Sequence, residues 1–128
     1  MFVAREGLGA AWQDSEAHLA LLTHINGRWF GAPEAGVDMQ FSFAELVAHA
    51  AKTRPLSAGT IVGSGTIANQ DESKGASCLA ERRTLEVLAH GKAQTPFLRF
   101  GDTVRIEMFD AAGASIFGAI EQRVVPYR

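Results

Sequence analysis

Cysteine is nearly absent: Cys78 stands alone in 128 residues. No intrachain disulfide can form, and a cysteine-based zinc cluster is excluded. An excess of one charge is also missing. Fourteen acidic residues against twelve basic ones leave a formal net charge of −2. That excludes the basic footprint with which nucleic-acid binders neutralise phosphates. No apolar run approaches the roughly 18 residues of a membrane-spanning helix, and no stretch reads as a signal peptide. Internal repeats, low-complexity stretches and linkers are lacking too.

What is present suits a core. Apolar residues make up 47% and charged residues 20%, a balance that disordered tails do not have. The length fits a single domain over residues 1–128, since single cores are commonly built from about 100–150 residues. The expectation is a soluble, cytoplasmic globular domain with no membrane or nucleic-acid partner.

Residues 1–16 read as an irregular lead-in, with Gly7, Gly9 and the polar Gln13, Asp14 and Ser15. An apolar strand is expected over 17–25, with Leu19, Leu21, Thr23 and Ile25 on one face. Asn26-Gly27 follows at once, then Arg28-Trp29-Phe30. Both turn residues tolerate the positive φ of a type I′ turn, so a β-hairpin is expected.

Ser42 suits an N-cap, and Glu45 three residues on completes a capping box. Phe41 and Leu46 have the spacing of a hydrophobic staple. Phe43, Leu46, Val47 and Ala50 recur on one helical face. One clear helix is therefore expected over about 43–53, stopped by Arg54-Pro55. Gly59, Gly63 and Gly65 then interrupt a β-prone run over 56–67, which reads as a glycine-rich strand. Residues 69–74 read as a polar loop. Residues 78–88 stay open: Leu85 and Leu88 suit a short helix, Cys78-Leu79-Ala80 a strand. Pro96 ends that segment. Val104, Ile106 and Met108 alternate with Thr103, Arg105 and Glu107, as in a half-buried strand. A turn at 110–113 leads into a second strand over 115–125. One helix among about six strands gives an α+β domain, mostly β.

The chemistry-bearing residues are sparse. His18, His24, His49 and His90 are scattered. A metal site needs donors converging at about 2.0–2.2 Å, commonly from short spacings, and no such spacing occurs. The run Gly63-Ser64-Gly65-Thr66 can present backbone N–H groups and two hydroxyls to an anionic or carbonyl ligand. It lacks the ending of a P-loop, and taken alone it reads first as a tight bend in a sheet. Glu81 can orient a histidine or polarise a water as part of a general base, although glutamates are mostly solvated. Arg82 and Arg83 either face water or clamp a substrate carboxylate. Cys78 suits a small core position.

Five stretches occur together in a telling order. They are Asn26-Gly27 with Trp29-Phe30-Gly31, then Ala35-Gly36-Val37-Asp38-Met39, then Phe43-Ala44-Glu45-Leu46-Val47-Ala48-His49-Ala50. Ala58-Gly59-Thr60-Ile61-Val62-Gly63-Ser64-Gly65-Thr66 and Gly101-Asp102-Thr103-Val104-Arg105-Ile106-Glu107 complete the set. From about Leu19 to Val125 the chain resembles the C-terminal portion of the fumarylacetoacetate hydrolase family, in the branch that carries Gly-Ser-Gly-Thr.

The resemblance implies an α+β, mostly β fold with mixed sheets, and work on 1,3-dicarbonyl or 2-oxo acids. Many members hydrolyse a carbon–carbon bond; others decarboxylate, hydrate or isomerise. A divalent ion, Mg²⁺ or Ca²⁺, chelates neighbouring substrate oxygens in the family and stabilises an enolate. By the same resemblance Thr66 contacts substrate, with Ser64 and Gly65 beside it. Glu81, in Ser77-Cys78-Leu79-Ala80-Glu81, matches the glutamate that partners the water-activating histidine. The family's Glu-x-Glu pair, two aspartate ligands, catalytic histidine and substrate lysine lie upstream of this portion, and no Glu-x-Glu occurs here. No metal ligand is therefore assigned. The expectation is a C-terminal fragment carrying one wall of the active site, inactive alone, with a small diketo or 2-oxo acid and a second copy of the chain as partners. A non-catalytic folded or dimerisation domain is the alternative from another class.

Overall fold

The computed structural model describes residues 2–127. The elements begin with a 3-10 stretch (Arg5–Ala11), strands β1 (Trp12–Gln13), β2 (Glu16–Ala17), β3 (Leu22–Ile25) and β4 (Arg28–Gly31), and helix α1 (Phe43–Ala51). A 3-10 turn (Glu72–Lys74), helix α2 (Leu79–His90) and strands β5 (Thr103–Glu107) and β6 (Ile120–Arg123) follow. The class is α+β, as the sequence leads one to expect. β1 pairs with β2, and the main sheet has the order β4-β3-β5-β6. All of these pairs are antiparallel.

The Asn26-Gly27 turn forms as its residue types require, with φ of 52° and 71°. Asn26 has a second role. Its Nδ2 donates to Asp102 Oδ1 at 2.8 Å, and its Oδ1 accepts the Thr103 N–H at 2.9 Å. The hairpin tip is thereby tied to the start of β5. β3 is shorter than the 17–25 strand expected: Ala17 belongs to β2, and β3 itself carries a register shift against β4 between Thr23 and His24. Upstream of that shift the chain runs beside residues 33–35, through Leu21 N–H to Pro33 O at 2.8 Å and Ala35 N–H to Leu19 O at 2.9 Å. Leu19, Thr23 and Pro33 are buried there.

The lead-in is more ordered than expected. Asp14 and Ser15 take φ of 50° and 63° between β1 and β2, and Trp12 stacks on Phe43 of α1 at 6.0 Å. α1 has the expected start. Ser42 Oγ accepts the Glu45 N–H at 3.4 Å, and Glu45 Oε2 accepts the Ser42 N–H at 2.9 Å. Its last helical residue is Ala51, two before the expected end.

Three expectations need correction. First, one helix was expected and a second, longer one exists over the open segment. Cys78 gives α2 no side-chain cap, so its start lacks the capping signal that α1 has. Gly91, at φ 76°, stops it by donating to Val87 O at 2.8 Å, well before Pro96. Second, the glycine-rich run joins no ladder: residues 60–69 lie outside every strand. Gly59 and Gly65 take φ of 88° and 89°, and no described strand pairs with the run. Third, the strand expected over 115–125 is reduced to β6, which is exposed along its length.

The core is thin. Among the described residues the buried apolar side chains are Leu19, Ala76 and Pro33.

Candidate functional site

The outer edge of β4 sets the position of α2. Ala32 N–H donates to Lys74 O at 2.7 Å, and Gly31 bridges to Gly75. The approach demands glycine: a Cβ on Gly31 would lie 2.2 Å from Ala76 O. Arg82 adds an anchor from α2, donating through Nη2 to Phe30 O at 2.9 Å. Glu81 sits in the first turn of that anchored helix. Its Oε2 is sealed from solvent and has no hydrogen-bond partner among the described residues.

Ser77, just before α2, donates its hydroxyl to Ile67 O at 2.5 Å. This bond joins the segment carrying Thr66 to the segment carrying Glu81. The other side of residues 66–70 is held by side chains acting on backbone. Asn69 Oδ1 accepts the Glu34 N–H at 2.7 Å, and its Nδ2 donates to Glu34 O at 3.1 Å and Val37 O at 2.9 Å. Asp38 Oδ2 accepts the Gln70 N–H at 2.9 Å, while Asp38 itself takes φ 63°. That conformation is uncommon outside glycine, and asparagine and aspartate tolerate it best.

The result is a cavity of about 260 Å³ lined by Val37, Asp38, Met39, Leu46, Ser64 and Thr66 among others. The structure thus brings Ser64 and Thr66 to one cavity. Gly65, between them, does not line it and serves through its φ of 89°. Glu81 does not line it either, and is linked to it through Ser77 and Ile67. Neither Arg82 nor Arg83 lines it. Arg82 lies over the Phe30 ring at 5.3 Å; Arg83 lies over Phe97 at 4.3 Å and donates to Thr95 O. Cys78 is half-buried. Asp38, Asn69 and Ser77 shape the site and were not singled out from sequence. Their only signal was polar character in loops, and their partners lie tens of residues away or on backbone.

His18 lies 3.9 Å from a Glu16 oxygen and 3.7 Å from a Glu34 oxygen. Among the described residues no three His, Cys, Asp or Glu side chains stand together as a metal-binding group. The lone orphaned oxygen of Glu81 is a hard donor suited to Mg²⁺ or Ca²⁺, but one oxygen is not a ligand set. The residues present do not by themselves hold such an ion.

An α+β chain with a hydroxyl-bearing glycine segment and an unpartnered buried carboxylate oxygen is what the family comparison meets. The family model described as fumarylacetoacetate (FAA) hydrolase C-terminal matches residues 4–125. The chain belongs to that family. The match extends the resemblance upstream through the β1–β2 hairpin. Comparison with the curated proteins gives no match. Among the described residues no helix is long and apolar enough to cross a membrane.

Proposed function

We propose that this chain forms one wall of the active site of a cytoplasmic, metal-dependent enzyme that hydrolyses a carbon–carbon bond in an acylpyruvate or related diketo acid. By itself it is inactive. The observation that carries this reading is Glu81 Oε2, sealed from solvent without a donor. A buried acceptor left unpaired costs stability, and a histidine N–H from outside the described residues satisfies it. Held so, the imidazole keeps one tautomer, and its other nitrogen takes the proton of the attacking water. The Thr66 and Ser64 hydroxyls, on the cavity wall, donate to a substrate oxygen. Mg²⁺ or Ca²⁺ belongs to the same proposal, with ligands from residues outside this chain.

Surface area supports a covering partner. The chain exposes 9141 Å², whereas a compact monomer of 13.7 kDa exposes about 6,600 Å². The excess of about 2,500 Å² is some threefold the area each partner gives to a standard interface. The completing wall and a second copy of the chain, in a homodimer, both draw on it. The same excess favours the second reading, a non-catalytic dimerisation domain. Decarboxylation, hydration or isomerisation of a 2-oxo acid shares the proposed groups.

The test is to mix the chain with the portion of the family fold it lacks, and to follow the ultraviolet absorbance of an acylpyruvate in Mg²⁺ buffer. Turnover by the mixture, and none by either part, is the expected result. A stable dimer that ignores the added portion and leaves the substrate intact overturns the catalytic reading in favour of the dimerisation domain.

A further inference from the structure

A second cavity, of about 480 Å³, shares no lining residue with the one at Ser64 and Thr66. Its volume falls within the roughly 300–1,000 Å³ of small-molecule sites. The β3–β4 hairpin contributes Trp29 and Phe30, α2 contributes Arg82, and the segment after α2 contributes Phe97 and Arg99. Trp29 and Phe97, 51% and 59% exposed, stand open on its walls.

The charge on the walls is unbalanced. Asp102 is the one carboxylate there, and both of its oxygens are occupied. Oδ1 accepts from Asn26 at 2.8 Å and Oδ2 accepts the Arg99 N–H at 2.7 Å. Those bonds, the Arg99 N–H first, hold its carboxyl below the usual range, so it is ionised and fixed. Against it stand two guanidiniums. Arg82 commits one nitrogen to Phe30 O and keeps further N–H donors. Among the described residues the Arg99 guanidinium makes no hydrogen bond or close ion pair, and its charge reaches Asp102 only through space. The walls are also preformed. The hairpin tip is locked to β5 by Asn26, Glu86 grips the backbone of Gln94 and Thr95, and Arg83 backs the Phe97 ring at 4.3 Å.

The geometry points to a second binding site in this cleft, for a small aromatic carboxylic acid. The ring packs against Trp29 and Phe97, and the carboxylate pairs with Arg99, with Arg82 as the neighbouring donor. Aromatic faces supply the contact area, and a planar guanidinium matches a carboxylate in two parallel bonds. A small aliphatic anion leaves the rings uncovered, and a neutral aromatic leaves Arg99 without a partner. The proposal is independent of the role given to Thr66 and Glu81.

Titrating the 128-residue chain with phenylacetate, read by tryptophan fluorescence and by the amide NMR spectrum, tests it. Saturable binding is expected with Kd about 1 mM or tighter, with perturbed amides at Trp29 and over 95–99. Acetate, phenylacetamide and the Arg99→Gln chain should each bind about tenfold more weakly, the loss expected on removing a charged hydrogen bond or its ring partner. Trp29→Phe should keep the binding and lose most of the fluorescence change, since Trp12 lies elsewhere. The proposal fails if the folded chain gives no saturable change. It fails equally if phenylacetamide matches phenylacetate, if Arg99→Gln binds as well as the parent, or if the shifts map to Ser64 and Thr66.

Discussion

Thr23 is the position where the structure predicts a substitution that stabilises. It sits on β3 between β4 and β5, is 3% exposed, and its Oγ1 has no hydrogen-bond partner among the described residues. A buried hydroxyl without a partner costs about 1–3 kcal/mol in proteins. Valine keeps the β-branched shape and strand preference and replaces that hydroxyl with a methyl, so no cavity opens. Thr23→Val should therefore stabilise the chain by about 1–2 kcal/mol. Unfolding entropy of about 2.1 cal/mol/K per residue over 128 residues converts this to a Tm rise of about 4–7 °C. Thermal unfolding followed by circular dichroism measures it. Thr23→Ser, which keeps the hydroxyl and removes the methyl, should lower Tm. A fall in Tm for Thr23→Val would refute the reasoning, because it would mean that the hydroxyl is satisfied in solution.

Other expectations follow from single contacts. Ser42→Ala removes the cap on α1 and should cost about 1 kcal/mol in urea unfolding, with Ser42→Asp largely retaining stability. Glu86 accepts from the Thr95 hydroxyl first, then the Thr95 and Gln94 N–H groups, and its carboxyl is pulled from 4.5 to about 2. That depressed value adds stability above about pH 4.5 which is lost as pH falls towards 2, so Glu86→Gln should flatten acid unfolding across that window. Glu81→Met exchanges an unpaired sealed oxygen for a thioether, and should raise the Tm of the isolated chain while leaving it unable to support turnover.

Legibility in the sequence followed the range of the forces. The Asn26-Gly27 turn and the Ser42–Glu45 box are decided within four residues, and both form as read. α2 begins at Cys78 without a side-chain cap and is held by Arg82 reaching Phe30, 52 positions away. No window along the chain contains that. The glycine-rich run has strand composition, but a strand also needs a neighbour, and neighbours are not a local property. Ser64 and Thr66 were found as residue types, by resemblance. That they share a cavity depends on Asn69 gripping Glu34 and Val37 across the loop, and that they connect to Glu81 depends on one bond from Ser77 to Ile67.

The most direct test of the active-site reading is Glu81→Gln in the reconstituted enzyme, scored by acylpyruvate turnover. Glutamine keeps the size and removes the charge that fixes the imidazole. The account predicts a loss of about 10²–10⁴-fold in kcat, the usual contribution of general-base machinery, with KM little changed. Turnover within about threefold of the parent would contradict it, and Glu81 would then be only a half-buried helix residue.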